Sequence, residues 1–244
     1  MWGTALIAAL MNILITGASR GIGVAAYALL KKHGHRVVGH STKGSDTLIA
    51  GDLTDPAVPR DIWDTALDEL GGTIDALVNN AGIYEGVADN VSDEEWHAAW
   101  ARTLTINLQA AADLSRLAVS HFLDRGGGGR IVNITSRAAY RGDSPQHWHY
   151  AASKAGMVGM IKSIARGYAS EGILCFGVAP GFTVSEMTAE YLQGRGGAQI
   201  VADIPLGRVA STDEVAEVIR WLATEAPASA TGSVIDVNGA SYVR

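Results

Sequence analysis

What the chain lacks narrows it first. It has one cysteine in 244 residues, Cys175, so no internal disulfide can form. Its setting in Ile173-Leu174-Cys175-Phe176 marks a buried thiol and fits a reducing, cytoplasmic location. It has no basic surplus: 19 Lys and Arg stand against 25 Asp and Glu, a formal net charge of −6. A nucleic-acid or anionic-membrane partner needs a basic surface, so small molecules are the expected partners. The first ten residues carry no Lys or Arg and therefore lack a secretory n-region, and they are too few to span a bilayer. Met11 directly precedes the first expected strand. Residues 1–10 therefore read as an N-terminal extension, a mis-called start or a disordered tag, and residues 11–244 as one domain. No internal repeat, linker or metal-ligand cluster is evident.

What is present is a chain 48% hydrophobic, long enough to bury one large α/β core. Asn12–Thr16 is a short apolar run, followed at once by Gly17-Ala18-Ser19-Arg20-Gly21-Ile22-Gly23 and then an Ala/Leu-rich segment to His33. The order reads strand, glycine turn, helix. Glycines permit a tight turn and close approach of a ligand, and a helix start offers free N–H groups and a positive dipole end to a pyrophosphate. Further strands are expected at 34–40, 47–52, 74–78, 130–135, 174–179 and 233–237. Helices are expected at 56–70, from the capping box at Ser92 through Asn107 to about Asp124, from Tyr150 to about Ser170, and at 212–224. Gly126–Gly129 reads as a surface turn because it precedes a strand and opens no helix. Residues 186–205 show little apolar period and read as a lid. With right-handed crossovers, the whole is a single-domain, Rossmann-type, doubly wound, seven-stranded parallel sheet with helices on both faces.

The end of the second strand bears on cofactor choice. NAD sites commonly place a carboxylate there to bond the ribose 2′-OH, and it would repel a 2′-phosphate. This chain has Ser41-Thr42-Lys43 instead, with Arg20 as a second cation in the glycine loop. The pattern favours NADP (NADPH) over NAD. Asp52, next to Leu53 at the third strand's end, either accepts a bond from adenine or caps the following turn. Asn79-Asn80-Ala81-Gly82 ends the fourth strand, where a ligand crevice opens in such sheets.

Tyr150 and Lys154 share one helix face, a turn apart. A phenol with a reference pKa of about 10 is nearly inert at neutral pH, but a nearby cation lowers that value. Alone the pair is weak, since a long helix carries such spacings by chance. Ser136 at the fifth strand's end and Asn107 inside its helix give it company. Arg141, His147 and Trp148, in the loop before Tyr150, are expected to line a substrate pocket; a plain surface loop is the alternative. His149 points elsewhere on the helix and reads as structural.

On Thr16-Gly17-x-x-x-Gly21-x-Gly23, Asn79-Asn80-Ala81-Gly82, Asn107, Ser136, Tyr150-x-x-x-Lys154 and Pro180-Gly181, the chain resembles the short-chain dehydrogenase/reductase family from Met11 onward. Within it, the chain is most similar to the 3-oxoacyl-acyl-carrier-protein reductases. The resemblance implies NAD(P)-dependent interconversion of carbonyl and alcohol, with Asn107, Ser136, Tyr150 and Lys154 as the catalytic set. Tyr150 would carry the proton, and Lys154 would lower its pKa and bond the nicotinamide ribose. Ser136 would hold the substrate oxygen, and Asn107 would anchor a water leading to Lys154. Gly17, Ser19, Arg20, Gly21, Ile22, Gly23, Ser41, Thr42, Lys43, Asp52, Leu53, Asn79, Ala81, Gly82, Pro180, Gly181, Thr183 and Ser185 would hold the cofactor with Tyr150 and Lys154. A homotetramer or homodimer is implied as well. Two departures stand out. Phe176 occupies a position where the family commonly has Asn, and Glu171 one where carrier-protein reductases often have Arg. With the acidic net charge, this favours a small free ketone, sugar or alcohol as substrate over an acyl-carrier-bound one. A cofactor sensor without turnover is the remaining alternative, disfavoured because Tyr150 and Lys154 are both kept.

Overall fold

In the computed structural model, residues 10–183 and 197–244 are described. Strands β1 (Asn12–Ile15), β2 (Arg36–Ser41), β3 (Leu48–Ala50), β4 (Ala76–Asn79), β5 (Gly129–Ile134), β6 (Ile173–Pro180) and β7 (Val234–Val237) form one sheet in the order β3-β2-β1-β4-β5-β6-β7. Every pairing is parallel. The helices are α1 (Gly21–Lys32), α2 (Val58–Glu69), α3 (Asp93–Leu104), α4 (Ala110–Asp124), α5 (Ala138–Arg141), α6 (Trp148–Tyr168), α7 (Gly197–Ala202) and α8 (Thr212–Thr224). The expected fold class stands.

The period-two alternation of buried strands divides the core. Ile13 and Ile15 face a cluster with Ala26 and Leu30 of α1 and Val215, Ile219 and Leu222 of α8. Leu14 faces the opposite cluster, with Ile62 of α2, Leu114 of α4 and Ile161 of α6. The apolar face of α8 is therefore consumed within its own chain. Phe176 is fully buried on the α1/α8 side, with the Arg130 guanidinium 6.0 Å from its ring. Cys175 is buried and free, and burial pushes its thiol up to about 12.

Between β2 and β3 there is only a turn, as the short spacing requires, because Gly44 N–H and Gly51 N–H both donate to the Ser41 carbonyl. One expected element differs. The helix expected to run unbroken through Asn107 is interrupted by a π-helical turn, Thr105–Gln109, between α3 and α4. Of the segment expected as a lid, residues 186–196 lie outside the described residues and 197–202 form α7. Residues 1–9 also lie outside them. Among the described residues no helix is long and apolar enough to cross a membrane, and no group of His, Cys, Asp or Glu is placed to hold a metal ion.

Candidate active site

Because all strands are parallel, their carboxyl ends share one edge, and the segments that follow them converge there. After β1 the chain turns through Gly17 (φ +68°) and Gly21 (φ +55°) into α1. A β-carbon on Gly23 would stand 2.0 Å from the Gly17 carbonyl oxygen, so the close packing of loop on helix requires glycine. The loop is bolted to the end of β4. Thr16 Oγ1 accepts from the N–H groups of Asn80 and Ala81, both at 3.1 Å, and Asn80 Nδ2 donates to the carbonyls of Thr16 and Gly17, both at 3.0 Å.

The expected amide contact from Asn79 is corrected by this geometry. Its side chain turns into the core, where Nδ2 donates to Ser115 Oγ and to Asn133 Oδ1, each at 3.0 Å. Neighbouring residues on a strand end point to opposite faces, and Asn80 is the one that serves the crevice. Leu53 likewise faces the core, leaving its backbone for a ligand. Asp52 Oδ1 accepts from both the N–H and the hydroxyl of Thr54, so the turn-capping reading describes it, and these bonds lower its pKa. Ser19, Arg20, Thr42 and Lys43 are exposed, and Ser41 is buried with Oγ accepting from Gly44 N–H at 3.1 Å. Gly181 packs against Asn238, and Thr183 Oγ1 donates to the Gly181 carbonyl. Ser185 lies outside the described residues.

The four expected catalytic residues assemble beside this crevice. Ser136 follows β5, its Oγ accepting from Ala138 N–H at 3.1 Å, and its hydroxyl lies near enough to the Tyr150 phenol to lower its pKa. Lys154 is buried, with Nζ donating to the Ile134 carbonyl at 2.7 Å and standing 5.8 Å from the Tyr150 ring centroid. Asn107 is fully buried in the π turn. Its Oδ1 accepts from Ile83 N–H at 2.8 Å and its Nδ2 donates to the Ile83 carbonyl at 3.0 Å, which accounts for a polar residue in an apolar helix series. A β-carbon on Gly82 would lie 3.3 Å from Asn107 Oδ1 and 3.6 Å from Lys154 Nζ, so glycine leaves this junction open.

The expected direction of the Tyr150 shift is reversed. Part of the residue reaches the surface, yet burial of the phenol pushes it up to about 12, against a smaller lowering by the nearby Ser136 hydroxyl and with a further push from the Asp143 carboxylate. Burial also lowers Lys154 to about 8. Both groups lose solvation, and the ammonium is turned to a backbone carbonyl instead of the phenol.

The loop before Tyr150 divides. His147 comes to the crevice and stacks on Tyr84 at 3.9 Å with the planes 6° apart; Tyr84 meets Tyr150 edge-on at 4.8 Å. Burial lowers the His147 pKa. Trp148 does not line this wall. It is 50% exposed and meets Trp96 of α3 edge-on at 5.4 Å, because neighbours on a helix lie about 100° apart. Arg141 binds Asp203 Oδ2 at 3.0 Å. His149 is buried near Trp100, as a structural residue. Tyr84 and Arg137 belong to the same neighbourhood and have no spacing signal in the sequence; Asn80 had one, inside the Asn79–Gly82 motif.

The arrangement offers a hydroxyl pair at a strand end beside a glycine-lined helix start, a geometry for proton transfer next to a phosphate-bearing ligand. A family model described as enoyl-(acyl carrier protein) reductase matches residues 17–240. The chain belongs to the short-chain dehydrogenase/reductase family. It is 36% identical to the 3-oxoacyl-acyl-carrier-protein reductase of Escherichia coli K12, over 94% of this chain and 96% of that protein. It is 38% identical to nodulation protein G of Rhizobium sp. N33, over 93% and 94%. Among solved structures, a Burkholderia cenocepacia J2315 short-chain dehydrogenase in complex with NADP superposes with a TM-score of 0.84 at 27% identity, covering 95% of this chain and 97% of that one. Thermoplasma acidophilum aldohexose dehydrogenase gives the same score and identity, covering 99% and 97%.

Proposed function

We propose that this oxidoreductase interconverts a carbonyl and a secondary alcohol on a small free molecule, with NADP(H) as cofactor and Tyr150 as proton donor and acceptor. The observation that carries the reading is the meeting of Ser136, Tyr150 and Lys154 on the sheet edge where α1 begins, with Lys154 Nζ 5.8 Å from the Tyr150 ring centroid and the Ser136 hydroxyl near enough to lower the phenol's pKa. No side chain caps α1 and its first turn holds no acid, whereas α3 and α8 each carry a capping box and an acidic first turn. An end left open in this way fits a pyrophosphate.

Gly17, Ser19, Arg20, Gly21, Ile22 and Gly23 would hold the pyrophosphate, and Ser41, Thr42, Lys43 and Arg20 the 2′-phosphate. Asp52 and Leu53 flank the adenine end; Ala81, Gly82, Lys154, Pro180, Gly181 and Thr183 the nicotinamide end. NADPH, when bound there, would supply the hydride that the carbonyl carbon accepts. Tyr150 gives its proton to the carbonyl oxygen, and the Ser136 hydroxyl donates to the same oxygen and stabilises its developing charge. A hydroxyl pushed up to about 12 keeps its proton at neutral pH, the state that reduction uses. Lys154, lowered to about 8, remains mostly protonated there and is held by the Ile134 carbonyl.

Reduction of an acyl-carrier-bound 3-oxo group is the second reading, favoured by the Escherichia coli relative. Glu171 bears on it less than its sequence position suggested. It stands at the amino end of β6, its carbonyl accepting from Gly128 N–H, at the opposite end of the strand from the crevice. The preference for a free substrate therefore rests on the net charge of −6, which would repel an acidic carrier. A homotetramer or homodimer and a cytoplasmic location belong to the same proposal; light scattering tests the first. The decisive experiment follows NADPH absorbance against a panel of free and carrier-bound carbonyls. Protein that neither bound NADPH nor oxidised it with any of them would end the reading.

A further inference from the structure

Two arginines converge on one carboxylate next to the crevice. Asp203 Oδ2 lies 3.0 Å from Arg141 Nη1 and 3.9 Å from Arg137 Nη1. The partners are unequal. Asp203 is 57% exposed, at the end of the short helix α7, whereas the Arg137 side chain is only 11% exposed. Arg137 Nη1 is buried with no hydrogen-bond acceptor among the described residues, and the Phe182 ring lies 5.0 Å from the guanidinium carbon. A buried guanidinium left short of acceptors is costly, and a charged ligand that reaches it is bound strongly.

The position is on the reacting side. Arg137 directly follows Ser136, and its N–H donates to the Pro180 carbonyl at the end of β6. The Asp143 carboxylate and Tyr84 are near enough to act on the Arg137 charge, and Tyr84 packs on Tyr150. Asp143 acts on Arg137 from a distance, with no ion pair between them among the described residues, while its Oδ1 accepts from Tyr84 Oη at 3.1 Å and from Ser144 N–H at 2.7 Å.

We infer that Arg137 and Arg141 form a carboxylate subsite in which Asp203 is an exchangeable internal occupant, and that the substrate is an oxo acid reduced to a hydroxy acid. The inference rests on the function proposed above and narrows its substrate class. A substrate carboxylate takes the place of Asp203, which returns to solvent at little cost from its exposed position. It then gains two guanidiniums, one of them in a low-dielectric setting where ion pairing is strongest.

The test compares 4-oxopentanoate and 3-oxobutanoate with their methyl esters, which keep the ketone and lose the charge. Wild-type protein should prefer each acid over its ester in kcat/KM by about tenfold or more. Asp203→Asn, which removes the competing carboxylate, should raise the acid-to-ester ratio. Arg137→Met and Arg141→Met should lower it, with Arg137→Lys intermediate. Equal or better use of the esters by wild-type protein, or a lower ratio in Asp203→Asn, overturns the inference without any arginine variant having to fold. If NADPH binds but no ketone is reduced, the proposed function fails by itself. The subsite is then read by calorimetric titration of 4-oxopentanoate into the NADPH-loaded protein: heat in wild type that rises in Asp203→Asn and falls in Arg137→Met supports it, and the absence of that order overturns it.

Discussion

Asn107 holds Ile83 from both sides, accepting from its N–H at 2.8 Å and donating to its carbonyl at 3.0 Å. The clamp ties the chain after β4 to the π turn, immediately beside Lys154. Asn107→Ala removes both partners from a part-buried backbone site and should cost about 1–3 kcal/mol in urea unfolding. It should also lower kcat, because the loop that flanks Lys154 loses its anchor. An unchanged unfolding midpoint would show that the clamp contributes nothing to stability.

The opposed shifts of Tyr150 and Lys154 predict a stability profile on the alkaline side. Lys154 falls from 10.5 to about 8 on folding, so between those values the unfolded chain binds more protons and stability rises with pH. Tyr150 rises from 10.0 to about 12, so above pH 10 the native state binds more protons and stability falls. Urea midpoints of wild type and Lys154→Met between pH 7 and about 10 should converge as pH rises through the Lys154 window. Parallel curves would refute the burial of a charged Lys154.

Much of this was legible in the chain itself. Apolar runs of strand length, each followed by a turn, define the parallel sheet, and the glycine turn after β1 marks the edge where Ser136, Tyr150 and Lys154 meet. What was not legible depends on which way adjacent residues point. Asn79 and Asn80 are neighbours on a strand end, so one faces Ser115 and Asn133 and the other the glycine loop. His147 and Trp148 are neighbours at a helix start, so one stacks on Tyr84 and the other meets Trp96 edge-on. Asn107 in the π turn finds its partner 24 residues away, and the Arg137–Asp203 approach spans a separation that no local pattern covers. Lys154 shares the face of Tyr150 as its spacing requires, but its hydrogen bond goes to Ile134, which spacing cannot show.

Gly23→Ala tests the phosphate end. The new methyl would lie 2.0 Å from the Gly17 carbonyl oxygen, a backbone atom that cannot swing away. The β1–α1 loop must shift, and NADPH affinity should fall by about tenfold or more, read by quenching of cofactor fluorescence. Tight NADPH binding by the variant would remove the glycine turn from the cofactor site.

Ser41→Asp tests the cofactor preference. Ser41 Oγ accepts from Gly44 N–H, and an Asp side chain can accept the same bond while adding a negative charge beside Lys43. The ratio of kcat/KM for NADPH over NADH should fall by about tenfold or more, since a 2′-phosphate is repelled and a 2′-hydroxyl accepted. A ratio equal to wild type would refute a 2′-phosphate site at the end of β2.

Tyr84 separates ring packing from hydrogen bonding at the catalytic wall. Its ring meets Tyr150 edge-on at 4.8 Å and lies flat on His147 at 3.9 Å, while its hydroxyl donates to Asp143 Oδ1. Such aromatic pairs contribute about 0.5–1.5 kcal/mol each beyond area burial, so Tyr84→Ala withdraws support from the Tyr150 phenol and should lower kcat by about tenfold. Tyr84→Phe keeps both ring contacts and releases the hydrogen bond to Asp143, and should stay within about threefold of wild type. Asp143 also helps push the Tyr150 pKa upward, so the Phe variant should shift the pH profile of kcat while leaving its plateau nearly intact. Equal losses in the two variants would assign the effect to the Asp143 hydrogen bond instead of the ring. The wall would then act on Tyr150 through charge, with packing secondary.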